Sequence, residues 1–109
     1  MKTPKILKNL NQESICYLES SINYTFFFLK DGRSFISGYN IKVFEAFFEH
    51  QAFIKINRSK LVNVAFIKQT NCVDKTYSIL LQNGKEINIS RRRLSKIKED
   101  YPLMFSSPR

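Results

Sequence analysis

The stretch from Phe53 to Asn63, FIKINRSKLVN, carries the most concentrated recognition chemistry in this sequence. Lys55, Asn57, Arg58, Ser59, Lys60 and Asn63 alternate there with Phe53, Ile54, Ile56, Leu61 and Val62, so a buried strand should run into a polar, basic turn. A guanidinium fork pairs with guanine in a major groove, a carboxamide pairs with adenine, and hydroxyl and ammonium groups suit phosphate oxygens. An ordinary solvated edge strand and loop uses the same residue types. Both readings stand on this stretch alone.

A second basic element lies at Arg91, Arg92 and Arg93. Ser90 reads as the N-cap of a helix to about Tyr101, with Leu94, Ile97 and Tyr101 on one face and Pro102 as its stop. Three arginines in a first turn oppose the positive end of the helix dipole at a few tenths of a kcal/mol each (~0.3 or more). An anion would reverse that cost, since backbone N–H groups and guanidiniums together form a phosphate site, and Lys96 and Lys98 extend the basic surface. The plain alternative is that the arginines extend into water.

The elements that must position these groups are mostly strands. Residues 1–13 are polar with weak periodicity and read as a lead-in or linker, followed by a domain over 14–104 and a tail over 105–109. SICYLE (Ser14 to Glu19) fits a strand with Ile15, Tyr17 and Leu18 as packing candidates, and Ser20-Ser21 a polar corner. NYTFFFLK (Asn23 to Lys30) is a second strand ending in an Asp31-Gly32 hairpin, with a return strand over Arg33 to Ser37. From Asn40, read as the N-cap, to His50 the period becomes helical, with Ile41, Phe44 and Phe48 on one face and Val43 and Phe47 beside them. Val64 to Cys72 reads as a strand with its turn at Val73 to Lys75; Thr76 to Gln82 and Lys85 to Ile89 form a hairpin about Asn83-Gly84. The fold class is therefore mainly β with two helices.

Composition narrows the partners. The 109 residues suit one domain, and a net charge of +9 calls for an anionic partner, either nucleic acid or an acidic membrane surface. The charge is uneven: residues 1–52 sum to +1 and residues 53–109 to +8. Cys16 and Cys72 read as two buried thiols in a reducing compartment, with a single disulfide as the alternative; no apolar run is long enough for a signal peptide or a membrane span, and the expected location is the cytoplasm.

Enzyme chemistry finds little support. His50 is the only histidine and reads as a helix C-terminal dipole partner; Glu45 and Glu49 share a helix face without a sequence partner for acid/base or metal work. No phosphate-cradling glycine loop occurs among three glycines, and no metal, cofactor or small-molecule substrate is expected. Three N-x-S/T triplets, at Asn23, Asn57 and Asn88, are read as chance.

Taken together, ICYLESSINYT, FIKINRSKLVNVAFI and LLQNGKEINISRRRLSKI resemble the LytTR family of bacterial DNA-binding domains over Ile15 to about Tyr101. The resemblance implies an elongated, mostly antiparallel β fold that docks loops into successive major grooves of duplex DNA and regulates transcription at direct-repeat sites, with a homodimer on DNA a further expectation. It implies base reading by Asn23, Thr25, Arg58 and Arg92. Tyr24, Asn57 and Arg93 would neighbour the readers, and Lys55, Ser59, Lys60, Ser90 and Arg91 would contact phosphate, while Asn63 would hold its turn together. The chain departs from the family at Asn57, where many members carry His, and at Ser21-Ile22, where a Gly is common. Members often carry a receiver domain upstream; a chain complete as given would lack that switch.

Two other functions fit the same residues. Tyr24 and Phe26 to Phe28 could form an aromatic platform for single-stranded nucleic acid, although strand alternation sends at least one of these rings into a core. A basic protein-interaction module with an acidic partner is the other.

Overall fold

In the computed structural model, residues 12–48 and 53–105 are described. Residues 1–11 of the expected lead-in, Glu49 and His50 at the expected helix end, and residues 106–109 of the tail lie outside the described residues. Among the described residues, eight strands form two antiparallel sheets, and the two stretches with helical period form two helices. The molecule is elongated, 43 × 27 × 24 Å.

The first sheet holds β1 (Ile15–Ser21), β2 (Tyr24–Leu29), β3 (Ser34–Ser37), β4 (Phe53–Asn57) and β5 (Lys60–Asn63), in the order β3-β2-β1-β5-β4. The second holds β6 (Ile67–Val73), β7 (Thr76–Leu81) and β8 (Glu86–Asn88) in sequence order. Helix α1 (Ile41–Phe47) covers one face of the first sheet, while the second sheet and α2 (Arg91–Asp100) cover the other. The aromatic richness of the chain serves these two cores. Phe27 meets Phe44 edge-on at 4.8 Å and Phe48 stacks on Phe53 at 4.2 Å beneath α1; Tyr17 stacks on Phe28 at 4.6 Å on the opposite side.

Four consecutive residues of β1, Ile15 to Leu18, are buried, which strict alternation with one solvent face cannot give. A register irregularity between Ile15 and Tyr17 places Ile15 and Leu18 in the α1 core and Cys16 and Tyr17 in the other. The sheet is buried on both faces at its centre, which is why the pattern reads as a continuous apolar run.

Several boundaries differ from the sequence expectation for local reasons. Ser20 and Ser21 continue β1 because they pair with Thr25 and Tyr24, leaving Ile22 and Asn23 as the turn. Residues Val64–Phe66 form a 3-10 turn instead of strand, because buried Asn63 accepts the Ala65 N–H at 3.0 Å and donates to the Ile15 carbonyl at 2.9 Å. Asn63 thus holds the turn that follows β5, whereas the basic turn at Arg58, which it was expected to hold, is closed by Asn57. The β6–β7 turn is Asp74-Lys75, both with positive φ, so Val73 belongs to the strand. Cys72 is exposed, correcting the expectation of two buried thiols, whereas Cys16 is buried. Phe105, expected in the tail, closes a 3-10 turn (Pro102–Phe105) and packs on Tyr77 at 5.7 Å.

Candidate nucleic-acid interface

Strand directions bring three loops to one edge of the molecule. β1 ends where β5 begins, since Glu19 pairs with Lys60, so the Ile22-Asn23 turn and the Arg58-Ser59 turn lie at the same end of the first sheet. The Ser20 N–H donates to the Ser59 carbonyl at 2.7 Å and fastens the two turns together. The Ser90 N–H donates to the Ile56 carbonyl at 3.1 Å, and Asn57 Nδ2 donates to the Asn88 carbonyl at 3.1 Å, so the start of α2 joins the same edge from the second sheet. Three hydrogen bonds thus hold the edge together: one joins the first hairpin to the Arg58 turn, and two join that turn to the start of α2.

Each turn is built locally. Asn57 Oδ1 accepts the Ser59 N–H at 2.9 Å and the Ser59 hydroxyl at 3.1 Å, an Asx turn that leaves Arg58 exposed at its tip. A register shift between Lys55 and Asn57 bends β4 as it enters this turn. Ser90 caps α2 by accepting the Arg93 N–H at 3.3 Å, and Arg91 and Arg92 are exposed in the first turn. Ile22 and Asn23 close β1 to β2 without positive φ, which among the described residues occurs off glycine only at Asp74 and Lys75. A turn of that kind does not require the glycine common in the family.

The side chains expected at this edge divide into two sets. Asn23, Arg58, Arg91 and Arg92 are exposed, Tyr24 is half exposed, and Ser59, Lys60 and Ser90 are partly accessible. Lys60 lies 3.5 Å from Glu19, which partly offsets its charge. Thr25, expected to read a base, is fully buried and donates its hydroxyl to the Tyr39 carbonyl at 2.8 Å. It faces the α1 side of β2 with Phe27 and Leu29, as alternation requires, so it supports the edge from within. Lys55, expected on phosphate, points to α1 and pairs with both oxygens of Glu45 at 3.2 Å. The pair is partly buried, and it compensates Glu45 Oε2, which has no hydrogen-bond partner among the described residues. Arg93 reaches back to the Lys55 carbonyl at 3.4 Å and holds α2 on β4. Asn57 is committed to Ser59 and Asn88 and shapes the site from behind.

The aromatic stretch of β2 is largely packed. Phe27 is fully buried, and Phe26 and Phe28 are half-buried in a tilted pair at 6.4 Å. Sequence reasoning overlooked Ile22 and Tyr39 at this edge, which are 90% and 48% exposed. An isoleucine in a tight turn between serines and an asparagine was the available signal for the first. Among the described residues, no group of three or more His, Cys, Asp or Glu side chains could hold a metal, and no helix is long and apolar enough to cross a membrane.

A two-sheet β domain with exposed arginines gathered on one edge presents a cationic surface of the kind that nucleic-acid-binding domains use. The LytTr DNA-binding domain family model matches residues 5–101, and the chain belongs to that family. It is similar in fold to a solved LytTr DNA-binding domain from Bacillus cereus, with a TM-score of 0.75 and 23% identity over 83% of each chain. No curated protein matches the chain. The DNA-binding, mainly β reading of the sequence therefore holds.

Proposed function

We propose that this chain binds duplex DNA sequence-specifically as a bacterial transcription regulator in the cytoplasm, setting the loops of one edge into successive major grooves. The observation that carries the reading is the fastening of the Arg58 turn to both the Asn23 turn and the start of α2. Three short loops on a hydrogen-bonded frame keep base-reading groups at set separations, as direct readout requires. The 43 Å length of the molecule exceeds the roughly 34 Å between successive turns of a major groove.

Arg58 and Arg92 read guanine and Asn23 reads adenine in this account. Ser59, Lys60, Ser90 and Arg91 contact phosphate in this account, and Tyr24 neighbours the readers. Two copies, each taking one element of a direct repeat, account for the expected operator symmetry and allow a homodimer on DNA.

The test is selection from a random duplex pool at near-physiological salt, with the winner then bound as duplex and as single strand. Enrichment of a short motif bound as duplex supports the proposal. Preference for the single strand, or retention of no nucleic acid, overturns it. On the selected operator, Arg58→Ala and Arg92→Ala should each cost roughly 1–3 kcal/mol and relax choice at one base, whereas Lys60→Ala should weaken all sequences alike. Equal losses on operator and random duplex would remove the arginines as readers.

A further inference from the structure

The edge described above is not uniformly polar. Its β1–β2 end carries Ile22, 90% exposed, together with Tyr24 at 50% and Tyr39 at 48%. Tyr39 belongs to this end because Ser37 pairs with Thr25 and the Tyr39 carbonyl holds the Thr25 hydroxyl. The other end carries the exposed Arg58, Arg91 and Arg92. Ser21 and Tyr24 form the last pair of the hairpin, so Ile22 extends past the end of the sheet. It has the largest fractional exposure among the exposed large apolar side chains of the described residues.

We infer that Ile22 is a base-contacting residue that meets the C5-methyl group of thymine in the major groove. The inference rests on the duplex-reading function proposed above. A major groove admits a two-stranded β-ribbon, and a two-residue hairpin tip is the narrowest end such a ribbon can present. Thymine is the only base that offers an apolar group in that groove, and aliphatic side chains are its natural complement. The apolar tip and the arginine tips therefore specify different bases. The operator segment under the β1–β2 turn contains a required thymine beside the adenine read by Asn23, and the segment under Arg58 and Arg92 contains guanine.

The experiment replaces each thymine of the selected operator, one at a time, with deoxyuridine, which keeps both hydrogen-bonding edges and lacks only the methyl group. The full chain should bind about threefold to fivefold more weakly at one thymine, the worth of one buried methyl contact. Ile22→Ser should bind the thymine and deoxyuridine duplexes equally at that position while keeping its guanine preference. Its side chain is solvated, so its unfolding temperature should match the parent. A deoxyuridine penalty that persists undiminished in Ile22→Ser overturns the inference, as does the absence of a penalty at every thymine in the parent chain. Selection that returns no operator overturns the duplex reading itself and is distinguishable from both.

Discussion

Replacing Asn57 with Ala should damage DNA recognition by loosening the frame that holds Arg58. The carboxamide makes three hydrogen bonds: its oxygen takes the Ser59 N–H and hydroxyl, and its nitrogen reaches the Asn88 carbonyl ahead of α2. Each such bond contributes roughly 0.5–1.5 kcal/mol. Asn57 is half-buried and Asn88 exposed, so water replaces part of what is lost, and about 1–2 kcal/mol of stability is the expected cost. For a domain of this size that is a fall of very roughly 4–15 °C in unfolding temperature. Below the transition the variant remains folded, yet the Arg58 turn loses its Asx closure and one of its ties to the start of α2, so its position relative to Arg92 is held less firmly. Operator affinity should therefore fall while affinity for random duplex, set by the count of cationic contacts, stays nearly constant. Asn57→Asp separates the two functions of the carboxamide, because it keeps the acceptor for Ser59 and loses the donor to Asn88. Denaturant unfolding and fluorescence anisotropy at matched salt are the assays. Loss of operator binding with no loss of stability in Asn57→Ala would refute the positioning argument and make Asn57 a direct DNA contact.

Three other perturbations test the same frame. Thr25→Val removes a buried hydroxyl and leaves the Tyr39 carbonyl without that partner; it should cost about 1–3 kcal/mol in denaturant unfolding and leave every base preference in place. Glu19→Gln frees Lys60 from a partly exposed ion pair, so operator and random duplexes should both bind more tightly and with a steeper salt dependence in a titration series. Thiol labelling at neutral pH should modify Cys72 quickly and Cys16 only after unfolding, because Cys72 is exposed while Cys16 is enclosed and burial pushes its thiol pKa up.

The sequence by itself determined the parts of this protein whose cause is local. Ser90 and Asn40 cap their helices, and Gly32 and Gly84 take the positive φ of their hairpins, because those requirements are met within a few residues. The excess of cationic residues after Ala52 likewise marked the half of the chain that supplies Arg58, Arg91 and Arg92 to the edge. Lys55 and Lys60 look equivalent in the sequence, yet one turns inward to Glu45 and the other stands by Glu19 at the edge. Thr25 looks as available as Asn23, but one lies inside the pleat and the other at the tip. Only the tertiary structure decided these cases, because facing depends on strand register and on the irregularities within β1 and β4. It also decided that Asn57 bonds Asn88 and that Ser90 meets Ile56, since contacts between residues more than thirty positions apart are set by how the two sheets pack and leave no periodic trace in the chain.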